Sequence, residues 1–174
     1  DSLVHKNKQD ELYKLELLLN QAEISAESRV PVLPAREIEE KTGAPATAIE
    51  LADGTVITGK TSDLLGSASA MLLNALKYLA GIDDEVLLIL PEIIVPVQEL
   101  KINHLGNKNP RLHTDEVLLA LSISAVADEK AKRALDELVN LKNCEMHSTV
   151  ILAQVDQNIL KKLGIRLTCD PKNK

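Results

Sequence analysis

The sequence predicts a mixed α/β domain with about five short strands and helices packed against the sheet. Three patterns support this: amphipathic segments of helical length, short β-rich runs bounded by turn residues, and a strand–helix–strand order in the last third of the chain. We expect a sheet that is partly antiparallel, through a hairpin, and partly parallel, through a crossover helix. The 174 residues suffice for one hydrophobic core.

The first forty residues predict two helices joined by an extended segment. Leucines at three- and four-residue spacing predict an amphipathic helix over Asp10–Ile24. Arg29–Val32 is expected to be extended, and Pro34 to begin a helix that Gly43 ends. We expect residues 1–28 to form an N-terminal helix linking to a missing N-terminal part, and residues 29–174 to form a single α/β domain. The Asp1-Ser2 start suggests a fragment.

A hairpin is predicted next, and the other elements follow in order. Asp53-Gly54 supplies the positive φ angles that a tight turn between Ala48–Leu51 and Thr55–Thr58 requires. Small residues in the first half of the following helix allow another element to approach closely. The remaining predictions are a helix over Asp63–Ala80, a buried strand over Asp84–Leu90, helices over 96–106, Thr114–Val126 and Asp128–Leu141, a strand over Glu145–Leu152, a helix over Asp156–Leu163 and a strand over Ile165–Cys169.

Composition excludes several classes of function. The chain has no Phe or Trp and a net charge of −6, so neither base stacking nor binding to a phosphate backbone is favoured, and we predict no nucleic-acid partner. We also predict no membrane partner, because no apolar run is long enough to cross a bilayer. Two cysteines and no signal peptide favour a reducing, cytoplasmic location.

Residues 54–61 match the phosphate-loop pattern of nucleotide-binding proteins, Gly54-x-x-x-x-Gly59-Lys60-Thr61. All four intervening residues are β-branched, which favours an extended strand over a curled loop. The hairpin is therefore the preferred interpretation, and nucleotide binding here is a less favoured alternative.

Two polar segments precede predicted helices and are the candidate binding sites. Free N–H groups at a helix start favour an anion. The alternative is that these residues only cap their helices and face solvent. If both helix starts point into one cleft, an anionic small molecule becomes the leading ligand. The candidate ligand-binding residues are Lys60, Thr61 and Ser62 in the first segment, and Lys108, Arg111, His113 and Thr114 in the second.

Cys144 and His147 have a spacing that can suggest a metal site or a catalytic pair. No second pair completes a tetrahedral set, so we predict no metal site and require no cofactor. Ordinary buried or turn positions are the preferred interpretation. Cys144, His147 and His113 are retained as weak catalytic candidates, and the sequence leaves open whether the protein is an enzyme.

Three ordered blocks carry a family resemblance: Asp53–Ser62, Leu105–Val117, and Cys144–Leu152 leading to Leu163–Pro171. Together they resemble the C-terminal part of an uncharacterised bacterial family, the domain-of-unknown-function family numbered eighteen forty-six. The resemblance implies a bacterial cytoplasmic protein and a fragment of a longer chain, and it supplies no reaction.

Two functions are compatible with these patterns. In the first, the domain docks onto the missing N-terminal part, or dimerises, and contributes part of an anionic small-molecule site. Its small-residue helix and the apolar stretch Val86–Val97 motivate docking. In the second, it is the half-site of a metabolic enzyme that acts on a phosphorylated or carboxylated small molecule.

Overall fold

The computed structural model describes residues 7–18 and 28–173, and it confirms an α/β fold. In the described residues a π-helical turn (Leu100–His104) follows the helix Pro91–Glu99, and a 3-10 turn (Glu137–Leu141) follows the helix Glu129–Asp136. The strands are β1 (Ala46–Glu50), β2 (Val56–Lys60), β3 (Glu145–Ser148) and β4 (Arg166–Cys169). The helices are α1 (residues 7–18), α2 (Val32–Thr42), α3 (Ser67–Leu79), α4 (Pro91–Glu99), α5 (Thr114–Ser124), α6 (Glu129–Asp136) and α7 (Gln154–Lys162).

The four strands form one mixed sheet in the order β2-β1-β3-β4. β1 is antiparallel to both β2 and β3, whereas β3 and β4 are parallel and connected through α7. The predicted hairpin and the predicted crossover unit are both confirmed. Gly54 takes the positive φ of the hairpin turn, at 85°.

The phosphate-loop match forms part of this hairpin. Val56–Lys60 pairs with β1 along its whole length, with Ala46 opposite Lys60 and Glu50 opposite Val56. Backbone groups that pair in a ladder are not free to wrap a phosphate. Residues 54–61 therefore do not form a nucleotide-binding loop, and the preferred interpretation from the sequence is confirmed.

Gly59 lets α3 lie directly on β2. A Cβ atom at Gly59 would lie 2.3 Å from the Ser67 carbonyl oxygen and 2.4 Å from the Met71 nitrogen. The small residues at the start of α3 thus allow the close approach that the sequence predicts, but the approaching element is a strand of the same domain. This contact holds the first turn of α3 against β2.

The expected strand at Asp84–Leu90 is wrong, which reduces the strand count from five to four. The segment is a loop whose Leu88 and Ile89 side chains are buried against the helices. The Lys77 ammonium donates to the carbonyl oxygens of Asp84, at 2.6 Å, and Val86, at 3.4 Å. A side chain therefore satisfies carbonyl groups that a sheet neighbour would otherwise satisfy.

Three boundary predictions are also corrected. Residues 28–31 form a turn and Val32 already begins α2, so Arg29–Val32 is not an extended segment. The helix predicted over 96–106 begins earlier, at Pro91, because a proline in the first turn of a helix has no N–H that needs a partner. Pro96 lies inside the same helix. The helix predicted from Asp63 begins at Ser67, because Leu64 and Gly66 make backbone hydrogen bonds with Leu112, which precedes α5.

Residues 7–18 are helical and overlap the predicted Asp10–Ile24, with exposed side chains, and residues 19–24 lie outside the described residues. The core is built from aliphatic side chains of β1, α3, α5 and α7, including Ile49, Leu72, Leu121 and Leu160. No helix in the described ranges is long and apolar enough to cross a membrane.

Candidate functional site

The two polar segments singled out in the sequence meet at one cavity of about 240 Å³. The cavity lies where α3 and α5 begin, next to the first turn of α7. It is lined by Gly43, Ala44, Pro45, Thr61, Gly66, Ser67, Ala68, Ser69, Asn109, Arg111, Leu112, His113, Leu152 and Asp156. The starts of α3 and α5 therefore border a single cleft.

Backbone pairing between the two segments holds the cleft together. Leu65 and Leu112 form an isolated parallel β-bridge. The Leu112 N–H donates to the Leu64 carbonyl at 3.0 Å, and the Gly66 N–H donates to the Leu112 carbonyl at 3.3 Å. The Arg111 Nε donates to the Ser62 carbonyl at 2.6 Å. These bonds bring two segments that are distant in sequence into one wall.

The start of α3 presents unpaired backbone donors to the cavity. Gly66 is the N-cap residue, no side chain caps the helix, and its first turn has no acidic residue. Ser67, Ala68 and Ser69 are all buried and line the cavity. Their N–H groups have no hydrogen-bond partner within the described ranges. The first N–H groups of any helix lack a partner within the helix, and here no cap supplies one. This start is therefore open to an anion.

The start of α5 is already filled by a carboxylate from α7. Asp156 Oδ1 accepts hydrogen bonds from the Thr114 N–H at 2.9 Å and from the Thr114 hydroxyl at 2.7 Å. The Asp156 side chain is only 6% exposed. The helix dipole favours a negative charge at this position. The α5 start thus binds an anion that belongs to the protein itself.

The second oxygen of Asp156 orients His113. Its Oδ2 lies 3.0 Å from the His113 Nδ1, and the His113 side chain is 24% exposed. Burial alone would raise the pKa of Asp156, but hydrogen bonds from His113 and Thr114 lower the pKa of this carboxyl below its ordinary value. Asp156 is therefore ionised at neutral pH. His113 lines the cavity, and its Nε2 has no partner in the part of the chain that the structure describes.

A buried lysine supports the Arg111–His113 segment from the π-helical turn. Lys101 is 2% exposed, and its Nζ donates to the Arg111 carbonyl at 2.6 Å and to Glu116 Oε1 at 2.8 Å. The same Glu116 oxygen accepts from the His113 N–H at 2.9 Å. Lys101 and Glu116 thus fix the backbone on both sides of Leu112, which holds Arg111 and His113 at the cavity.

The predicted binding residues separate into two groups. Thr61, Arg111 and His113 line the cavity, and the terminal nitrogens of Arg111 have no partner among the described residues. Thr114 is buried and commits its hydroxyl to Asp156. Ser62 caps the turn at Leu64 and Leu65 and borders a second, more apolar cavity of about 190 Å³. Lys60 and Lys108 are exposed and line neither cavity.

Asp156, Lys101 and the α3 backbone donors belong to the candidate site, and the sequence does not reveal them. The sequence marks Asp156 only as the first residue of a helix, and its partners lie 42 residues away. Lys101 falls within a predicted helix, where a lysine normally faces solvent. The donors of Ser67–Ser69 are hidden because the sequence places the helix start four residues earlier.

Cys144 and His147 are engaged with different partners and lie away from the cavity. The Cys144 Sγ lies 3.6 Å from the Asn140 carbonyl oxygen, and burial raises the pKa of this thiol. The His147 Nδ1 lies 2.8 Å from the Thr168 hydroxyl, and its Nε2 lies 3.1 Å from Asp170 Oδ1. Burial lowers the pKa of His147 despite Asp170.

Asp170 in turn accepts two hydrogen bonds from Arg36, at 3.2 and 2.8 Å. The cluster therefore joins α2 to the end of the sheet, which is a structural role. In the described ranges, no group of three His, Cys, Asp or Glu side chains could hold a metal ion.

Comparison with known proteins gives one family. Residues 27–174 match the family model described as "Domain of unknown function DUF1846, C-terminal". The chain is 58% identical over 156 residues to a UPF0371 protein of Corynebacterium diphtheriae, covering 90% of this chain and 31% of that protein. It is 51% identical over 158 residues to a UPF0371 protein of Streptococcus uberis, covering 91% of this chain and 32% of that protein. The chain thus spans about a third of the length of these relatives.

Proposed function

Since this chain belongs to the DUF1846 family as its C-terminal domain, we propose that it contributes an anion-binding half-site for a small molecule to a longer bacterial protein. The open start of α3 beside Arg111 is the observation that carries this proposal. The remainder of the protein, which accounts for about two thirds of the length of the relatives, supplies the other side of the cleft.

Charge and donor chemistry favour an oxyanion as the ligand. Three neighbouring N–H groups at Ser67–Ser69 suit the oxygens of a phosphate or carboxylate, and Arg111 adds a positive charge with free terminal nitrogens in the described part of the chain. Asn109 also lines the cavity, and its Oδ1 is already occupied by the Arg111 N–H at 3.0 Å. The N–H groups of Ser67–Ser69 and the terminal nitrogens of Arg111 are thus donors without partners in the described ranges, as an anion requires.

The size of the cavity sets the class of ligand. A volume of about 240 Å³ lies below the usual range of roughly 300–1,000 Å³ for pockets that hold drug-sized molecules. It suits a phosphate, a small carboxylate or the anionic end of a larger metabolite. Any larger part of the ligand lies against the rest of the longer protein, because binding sites form preferentially between domains.

The proposal also assigns a role to each part of the chain and a location to the whole protein. Residues 29–174 act as one domain, and residues 1–28 connect it to the N-terminal part. The protein works in the bacterial cytoplasm, where phosphorylated and carboxylated metabolites are concentrated. If the N-terminal part carries the reacting groups, the whole protein is an enzyme that acts on such a metabolite.

The test is calorimetric binding of inorganic phosphate to the full-length protein and to its Arg111→Ala variant. We expect the variant to bind phosphate about tenfold to hundredfold more weakly, because a charge-assisted hydrogen bond is lost. Lys108→Ala is the matched control, since Lys108 is a nearby exposed cation that does not line the cavity. Equal loss in both variants, or no binding by the unaltered protein, would contradict the proposal.

A docking role is the second candidate, and α5 supplies the observation that favours it. Leu119 and Ile123 are 65% and 68% exposed on the outer face of α5, and Val126 just beyond the helix is 88% exposed. Their spacing places them on one face. The occupant we propose is the N-terminal part of the same protein. The small-residue half of α3 does not serve this role, since it packs on Gly59.

Docking is tested by limited proteolysis of the full-length protein carrying Leu119→Lys and Ile123→Lys. We expect faster cleavage between the two parts, whereas a matched pair at exposed polar positions of α6, Lys130→Ala and Lys132→Ala, leaves the cleavage rate unchanged. The variant with both lysines could instead keep the cleavage rate of the unaltered protein and lose a higher-order oligomer. That result would assign the face to a second copy of the chain.

A further inference from the structure

We infer that the anionic ligand of this cavity also carries its own hydrogen-bond donor, an O–H group that His113 Nε2 accepts. The inference rests on the proposed anion site and narrows its ligand to oxyanions such as hydrogen phosphate or a hydroxy carboxylate. Asp156 is the positioning residue that gives His113 this accepting role.

The two oxygens of Asp156 determine which nitrogen of His113 carries hydrogen. An ionised carboxylate can only accept hydrogen bonds. Oδ1 accepts both donors of Thr114, and Oδ2 lies 3.0 Å from the His113 Nδ1. The Nδ1 atom therefore carries the hydrogen of the neutral ring. The hydrogen bond made by one ring nitrogen decides the state of the other, so Nε2 presents a lone pair.

The surroundings of His113 keep that lone pair available. The ring lines the cavity, and no described residue donates to Nε2. The His113 backbone N–H is bound to Glu116, and Lys101 holds Glu116 in turn. The ring is therefore fixed at its backbone and at Nδ1. A ligand bound at the α3 start meets several donors from Ser67–Ser69 and Arg111, and one acceptor from His113.

Such a site discriminates between anions of equal charge and similar size. Hydrogen phosphate, the main form of phosphate at pH 8, has one O–H group, and sulfate has none. Sulfate would place an oxygen lone pair against the Nε2 lone pair and would leave that nitrogen unpaired. Glycolate and acetate form a second pair that differs in a hydroxyl group. The two pairs distinguish a phosphate ligand from a hydroxy carboxylate.

The experiment measures binding of these four anions to the full-length protein at pH 8 by calorimetry. We expect at least one donor-bearing anion to bind about tenfold or more tightly than its donor-free partner. The tautomer of His113 is read in parallel from the ¹⁵N shifts of the histidine-labelled protein, with the signal assigned by its loss in His113→Phe. We expect hydrogen on Nδ1.

Asp156→Asn is the decisive variant because it is isosteric and reverses the hydrogen bond. The Asn oxygen can still accept both bonds from Thr114, while its NH₂ group faces Nδ1 and donates to it. The ring hydrogen then moves to Nε2, and the preference for the donor-bearing anion is lost or inverted in favour of sulfate or acetate. His113→Phe abolishes the preference without inverting it.

The outcomes separate this inference from the proposed function. If all four anions bind and neither pair shows a preference, the anion site stands and the inference is wrong. The inference is also wrong if the unaltered protein carries its hydrogen on Nε2. If no anion binds, the proposed function fails, and the inference fails with it.

Discussion

The starts of α3 and α5 border one cavity but are completed in opposite ways. At α5, the Thr114 N–H and hydroxyl donate to the buried Asp156 carboxylate. At α3, no side chain caps the helix and the N–H groups of Ser67–Ser69 are unpaired among the described residues. Two helix starts with the same electrostatic preference thus differ because α7 supplies a carboxylate to only one. The open start of α3 is where we propose that an external anion binds.

The largest expected effect comes from Gly59→Ala, which would displace the start of α3. The new Cβ would meet backbone atoms of Ser67 and Met71 at 2.3–2.7 Å, and backbone cannot move aside cheaply. We expect a loss of about 3 kcal/mol or more in the free energy of unfolding, measured by urea denaturation of the chain.

Gly54→Ala is the control for this substitution. Gly54 has a φ of 85°, and a Cβ added there would meet nothing within 4 Å, so only backbone strain of about 1 kcal/mol is expected. Similar losses at both glycines would show that α3 does not depend on close contact with β2.

Lys101→Met is expected to have the next largest effect, on the α5 side. It leaves the Arg111 carbonyl without its donor and Glu116 without its charge partner. Removing one member of a buried pair usually costs about 3–5 kcal/mol, and because Glu116 is 21% exposed we expect about 2–3 kcal/mol. Glu116→Gln, which keeps an acceptor, should cost less in the same denaturation experiment. An equal cost would assign the loss to packing of the lysine stem.

Two substitutions with smaller expected effects compare the two helix starts directly. Thr114→Val removes a hydroxyl that donates to buried Asp156, and we expect a loss of about 1–2 kcal/mol in the free energy of unfolding. Ser67→Ala removes a hydroxyl for which the described residues supply no partner, so we expect a change within about 0.5 kcal/mol. A larger loss for Ser67→Ala than for Thr114→Val would reverse the comparison.

The smallest expected effect is a pH dependence that belongs to Asp156. Its pKa is lowered from 3.8 in the folded chain, so ionised Asp156 adds stability above that value, and the contribution is lost as pH falls through the folded-state pKa. We expect the stability difference between the unaltered chain and Asp156→Asn to be constant above about pH 5 and to shrink below about pH 4. A difference that grows on acidification would mean that Asp156 is protonated in the folded chain.

Much of this architecture follows from local sequence signals. Asp53-Gly54 predicts the hairpin, the order of the last third predicts the crossover through α7, and Gly43 ends α2 as expected. These features depend on residues that are neighbours in sequence. The strand expected at Asp84–Leu90 is wrong because an apolar run bounded by turn residues does not reveal that Lys77 satisfies its carbonyls.

The place of the candidate site is predictable from the sequence, but its detail is not. The sequence identifies both polar segments, and Thr61, Arg111 and His113 do line the shared cavity. It cannot show which helix start is open, since that depends on Asp156, 42 residues beyond Thr114. Long-range hydrogen bonds of this kind leave no local pattern, so Lys60 and Lys108 look as suitable as Arg111.

The most direct test follows backbone amide signals of the full-length protein during titration with phosphate. We expect the amide signals of Ser67, Ala68 and Ser69 to shift with phosphate concentration, while the Thr114 amide, bound to Asp156, stays unchanged. Shifts at Thr114 with none at Ser67–Ser69 would contradict the proposed anion site, because the external anion would then bind at the helix start that Asp156 already fills.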